Sequence, residues 1–254
     1  MKNMILVCLC FLLWMTCLSQ GRLHAEEISL TSCNWHPYVG ENLPGFGFTS
    51  EIISQAFQQA GDTVTFTILP WKRALYLTQS GEFDAVYSGY YSEERASVYA
   101  LSNPYTQSAV FLCALKESAV NYKSLKDLQP YLIGVVRGYV NGPEFDRATY
   151  LRRDEAFSDL NNLGKLMAKR VDIIVIDKFV ALYYLKNSPF SEGDIDRVEF
   201  LQPPLKVMPV HVMFSKAVPG FQKKVAVFNA GLEQIRKNGV MDQIMEKYGF
   251  LDHE

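Results

Sequence analysis

TSEIISQAFQQAGDTVTFTIL, residues 49–69, changes its hydrophobic period once, at a glycine, and that change decides the fold. Before it, Ile52, Ile53, Ala56, Phe57 and Ala60 recur at helical spacing on one face, and Gly61 stops the helix. After it, Val64, Phe66 and Ile68 alternate with Thr63, Thr65 and Thr67, the signature of a half-buried strand. A buried strand over 28–33 precedes this stretch; a helix over 71–79, ended by Ser80-Gly81, and a short strand over 84–87 follow it. The order β-α-β-α-β favours a parallel sheet with right-handed crossovers.

The alternation then restarts. Strands are expected over 107–115, 131–136, 171–176, 197–201 and 210–214. Helices are expected over 158–168, 178–186, 221–237 and 240–248, the first with Leu160, Leu163, Leu166 and Met167 inward. The breaks near Ser108 and near 204–209 divide this α/β chain into two lobes, 26–110 with 208–254 and 111–207. Two hinge crossovers join them, each lobe carries a mostly parallel sheet flanked by helices, and a small-molecule site is expected in their cleft.

Composition narrows the class. The 254 residues are 48% hydrophobic and 20% charged, with a net charge of −2, and no Lys/Arg block interleaves with aromatics, which sets nucleic-acid binding aside. Residues 1–25 read as a cleavable signal peptide: Lys2, an uncharged apolar run over 4–18, then Leu23-His24-Ala25 before the cut. An uncleaved anchor and a lipidated Cys17 are the alternatives. Cleavage removes Lys2 and Arg22 but no acid, taking the net charge from −2 to −4, and the mature protein is expected in the periplasm. Cys33 and Cys113 then remain, in apolar strand-like runs where a free thiol packs as a small hydrophobe; their spacing demands no disulfide. No HExxH, CxxC pair, EF-hand loop, GxSxG or GxxxxGK[ST] occurs, so no metal or cofactor is expected. Gly45-Phe46-Gly47 lacks the spacing of a phosphate loop and reads as a turn feeding a helix.

Trp35, Tyr38, Trp71, Tyr87, Tyr90 and Tyr91 fall at or just beyond strand ends, where an open α/β sheet places its ligands; core or rim packing is the other reading for each. Arg95, beyond the third strand, has the chemistry to grip a carboxylate through two parallel hydrogen bonds, or to sit solvated at the surface. Asp177 ends an apolar strand and precedes a helix; it reads equally as an N-cap or as an acceptor for an ammonium group.

Taken together, these pieces resemble the family 3 periplasmic solute-binding proteins, which serve ABC importers of polar amino acids. The resembling segments are TSCNWHPY at 31–38, the helix entry at 47–52, Ser80-Gly81-Glu82-Phe83-Asp84-Ala85, Ser92-Glu93-Glu94-Arg95 and Leu101-Ser102-Asn103-Pro104-Tyr105. Ser124-Leu125-Lys126-Asp127-Leu128 with 134–138, 172–177, Asn238-Gly239 and Lys247-Tyr248-Gly249 continue the match in order over nearly all the mature chain.

The resemblance implies a type II two-lobe periplasmic-binding-protein fold and a ligand site. In it Arg95 holds the ligand α-carboxylate, Asp177 from the opposite lobe holds the α-ammonium, and Trp35 and Trp71 sandwich the side chain. Ser88 aligns with a polar residue near the carboxylate; Tyr139 and Val140 lie on the second-lobe loop that normally offers a hydroxyl. Departures accompany the match: Ser32 stands where members binding basic ligands carry an acid, Val140 replaces a hydroxyl residue, and the segment 84–95 is one residue shorter. The run Pro70-Trp71-Lys72-Arg73-Ala74 marks a proteobacterial subgroup with less uniform ligands, and Arg73 reads either as a second positive contact or as a solvated helix residue. The expected function is capture of a small polar solute, an amino acid by resemblance, by a monomer that delivers it to an ABC permease in the inner membrane. A ligand-presenting sensory protein and a cyclohexadienyl-dehydratase-like enzyme are the alternatives on the same fold.

Overall fold

The computed structural model describes residues 25–187 and 189–249. The expected signal peptide lies outside the described residues except for Ala25, and no helix among those described is long and apolar enough to cross a membrane.

The first unit forms as its periodicity dictates. Strands β1 (Glu27–Ser32) and β2 (Thr63–Ile68) flank helix α1 (Phe48–Gln58), and helix α2 (Trp71–Gln79) leads to β3 (Ala85–Tyr90). β1 pairs in parallel with both β2 and β3, so β1 is central and β2 is the edge. That position explains the threonine alternation: Val64, Phe66 and Ile68 lean on the core while Thr63, Thr65 and Thr67 face water. Ile52, Ile53, Ala56 and Phe57 of α1 are fully buried.

Helix α3 (Glu93–Val98) and the short strand β4 (Tyr99–Leu101) lead into β5 (Thr106–Leu115). The second unit contains β6 (Leu132–Val136), α4 (Pro143–Arg147), β7 (Arg152–Ala156), α5 (Asp159–Met167), β8 (Ile173–Asp177), α6 (Lys178–Lys186), α7 (Glu192–Ile195) and β9 (Val198–Phe200). The chain returns through β10 (Lys206–Ser215) and closes with α8 (Phe221–Lys237) and α9 (Val240–Lys247).

Among the described residues, ten strands form one sheet with the path β2-β1-β3-β10-β5-β8-β6-β7, β4 and β9 lying off it. The long antiparallel pair β5 and β10 joins its halves. Near its start β5 pairs with β10, from Thr106 to Val110; near its end it pairs with β8 and β9. β10 meets β3 only from Val210 onward, so Pro209, which has no N–H to donate, lies where the strand is open on that side. That is why β10 starts four residues before the Val210 expected from sequence. Cys33 and Cys113 are both free thiols.

Candidate functional site

The site is assembled at the C-terminal ends of parallel strands. Just beyond β1, Trp35 pairs back with Val39 through two backbone hydrogen bonds of 2.9 and 3.0 Å, which turns the indole across the strand ends. Pro70 caps the start of α2, so Trp71 opens that helix beside the same strand ends. Ser92 accepts the backbone N–H of Arg95 at 3.1 Å and thereby starts α3, which aims Arg95 inward. Ser88 holds a left-handed backbone (φ 65°), pinned by the Tyr105 hydroxyl, which accepts its N–H and lies 3.1 Å from its Oγ. Such strain persists only where the surroundings over-determine it. From the second unit, the loop after β6 turns at Gly138 (φ 80°) and presents Tyr139 and Val140.

Cys33, Trp35, Trp71, Ser88, Tyr90, Arg95, Tyr139 and Val140 line one cavity of about 20 Å³, room for about one water. Trp35 stacks on Tyr38 at 4.2 Å between ring centroids and meets Tyr90 edge-on at 6.0 Å. Trp71 meets Tyr139 edge-on at 6.2 Å. A wider cleft of about 700 Å³ opens along the α3 side, with Glu93, Glu94, Asp146 and Glu155 in its walls. Another of about 490 Å³ opens beyond Trp71, with Glu41 at its rim. Tyr139 borders all three spaces.

Arg95 is 6% exposed. Its Nη1 donates to the Tyr90 carbonyl at 2.8 Å and its Nη2 to the Gly138 carbonyl at 2.9 Å, and the guanidinium lies 5.3 Å from the Trp71 ring centroid. Among the described residues it forms no ion pair. Burial pulls it down to about 10, so it remains a cation at neutral pH. The Gly138 carbonyl also accepts the Trp71 indole N–H at 3.1 Å, so one oxygen of the second unit ties two side chains of the first.

Two expected site residues are not brought to this cavity. Ser32, fully buried, donates its hydroxyl to the Tyr87 carbonyl at 2.9 Å, because neighbouring positions on a strand face opposite ways and Cys33 takes the cavity side. Asp177 lies where the two units meet, but it does not line the cavity. One carboxylate oxygen accepts the Val180 N–H at 2.9 Å and caps α6; the other accepts the Ser108 and Tyr38 hydroxyls at 2.6 and 3.1 Å. Asp177 therefore acts as the N-cap of α6. Burial, only partly offset by these bonds, holds its carboxyl above the usual range.

The sequence reading left other residues out of the site. Cys33 lines the cavity although a strand-end thiol signals only packing, and burial pushes the thiol up to about 12, so it presents an apolar surface. The Gly138 carbonyl is a backbone group with no side-chain signature. Asp159, the first residue of α5, is 1% exposed and accepts the Tyr139 hydroxyl at 2.8 Å just behind the cavity wall. Nothing in its Ser158-Asp159 context distinguishes it from an ordinary helix start. Arg73 carries no role in the cavity lining.

Residues 31–251 match the bacterial extracellular solute-binding proteins, family 3, and the chain belongs to that family. Its fold is the mixed α/β periplasmic-binding-protein fold. One similar structure is an ancestral arginine-binding protein bound to glutamine, at 23% identity and TM-score 0.74, covering 89% of this chain and 98% of that one. Another is the substrate-binding protein of an amino acid ABC transporter, at 18% identity and TM-score 0.72, covering 87% and 98%. A histidine kinase sensor domain similar to periplasmic binding proteins aligns at 18% identity and TM-score 0.76, covering 87% and 95%. At these identities the likeness speaks for the fold.

Proposed function

We propose that this chain is an exported solute-binding protein that captures a small carboxylate-bearing solute between its two lobes and delivers it to an ABC permease. Arg95 binds the carboxylate, and Trp35 and Trp71 cover the body of the solute. The observation that carries this reading is a buried guanidinium facing the cavity whose hydrogen-bonding partners, among the described residues, are carbonyls alone. A buried cation favours an arriving anion, and the planar guanidinium matches a carboxylate with two parallel bonds. Neighbours described as amino-acid-binding proteins support a carboxylate as the recognised group.

Capture is a two-state clamp. β5 and β10 are the hinge crossovers, and the cavity as it stands is too small for a solute, so entry requires the lobes to part. Closure on the solute then replaces water around its carboxylate with Arg95. A solute moves this balance only by its differential affinity for the two states.

A thermal-shift screen of the mature protein against amino acids, organic acids and short peptides tests the reading. At least one carboxylate raises the melting temperature in a concentration-dependent way, because a ligand that binds only the folded state stabilises it by mass action. No shift from any carboxylate at millimolar concentration overturns it.

A further inference from the structure

We propose that His36 is a proton-operated latch between the two lobes: its neutral imidazole fastens the first lobe to α6 of the second, and protonation releases the contact and opens the clamp. The latch needs only that the lobes part, whatever solute enters between them.

Both lobes build the contact. His36 lies just beyond β1, whereas Tyr183 and Tyr184 lie on α6. The imidazole stacks on Tyr183 with 4.9 Å between ring centroids and 15° between the planes, and its Nδ1 lies 3.2 Å from the Tyr184 hydroxyl. The ring also rests against Gly40 of its own loop, where any Cβ would collide with Nε2, so a glycine is needed there to make room for it. The result is a histidine only 9% exposed. None of these residues lines the cavity at Arg95 or the two outer clefts, so the contact acts on the lobes and not on the solute.

A proton on this ring finds no counter-charge in the opposite lobe. Tyr183 and Tyr184 are the groups that face it, and they offer hydroxyls, not charges. Among the described residues Nε2 has no hydrogen-bonding partner. Elsewhere on α6, Asp177 is engaged with Val180, Ser108 and Tyr38, Lys178 lies against the Phe200 ring, and Lys186 is exposed at the far end. Asp159 of α5 acts on Tyr184 from behind and accepts the Tyr139 hydroxyl. The acid whose charge acts on the imidazole is Glu41. It belongs to His36's own turn and travels with it, so it favours the proton in open and closed forms alike.

Parting the lobes withdraws α6 and gives the ring to water, which solvates an imidazolium that the closed form leaves buried. Burial accordingly holds the closed-form ring below the usual imidazole range, with Glu41 offsetting this only in part. The open form therefore binds the proton more tightly, and falling pH drives opening, by up to about tenfold in the balance per pH unit.

Small-angle scattering of the solute-free mature protein at about pH 7.5 and about pH 5.5 tests this. The parent has the larger radius of gyration at the lower pH, and His36→Asn, which keeps a polar partner for Tyr184 but cannot titrate, has the same radius at both. A parent profile that does not change with pH overturns the proposal. So does a pH response that survives in His36→Asn, because Asp159 is still present there and the response then belongs to another group. Tyr184→Phe probes the latch from the other lobe even if His36→Asn fails to fold: it is more open than the parent at about pH 7.5, and a profile matching the parent's overturns the proposal.

Discussion

Burial holds the Asp159 carboxyl up at about 7, against 3.8 for the free side chain; the hydrogen bond from Tyr139 pulls it down and the nearby Asp177 pushes it up further. The sign of the resulting pH dependence follows from proton uptake. Between 3.8 and about 7 the folded protein keeps a proton that the unfolded chain has released, so stability falls as pH rises through that window. Asp159→Asn keeps an acceptor for Tyr139 but carries no titrating proton. Melting curves from pH 4 to 8 show the variant losing less stability across the window than the parent; parallel curves contradict the assignment. Residue-scale reading from sequence singled out Arg95, Trp35 and Trp71 because strand-end position and chemistry coincide there, and all three line one cavity. It could not read the surroundings of Asp177, whose partners Ser108 and Tyr38 lie 69 and 139 residues away, a distance that hides which of its oxygens are engaged.

Elements were legible where pattern and environment agreed. Helices α2, α6 and α8 run over the stretches that their periodicity marks. β7 was not foreseen, because Arg152-Arg153-Asp154-Glu155 carries no apolar alternation; among the described residues it is an edge strand paired only with β6, where charge discourages further pairing. The packing of α1 against α8 has its own signature in Gly231. A Cβ there would collide with the Ala56 carbonyl, so the glycine sets how closely the helices approach. Gly231→Ala forces them apart, and chemical denaturation records a loss of about 1–3 kcal/mol. An unchanged denaturation midpoint would show that the contact is soft.

At the scale of the molecule, the two units are tied across the cleft by the Trp71 and Arg95 bonds to the Gly138 carbonyl and by the Tyr38 hydroxyl on Asp177. Each such bond contributes about 1 kcal/mol net, about fivefold in an open–closed balance. Trp71→Phe deletes the indole donor while keeping an aromatic ring, so it shifts the free protein toward the open form. Small-angle scattering reads this as a larger radius of gyration, and an unchanged profile contradicts the tie. The two-unit plan was visible in the repeated α/β pattern, whereas the closing contact was not, because its acceptor is a main-chain oxygen.

The most direct measurement is the affinity of the tightest-binding carboxylate for the parent protein and for Arg95→Ala, read by calorimetry with a melting curve to verify folding. Removing one partner of a buried charge pair costs about 3–5 kcal/mol, which predicts a loss of about a hundredfold or more. A folded variant that binds within about tenfold of the parent would show that the guanidinium does not hold the solute.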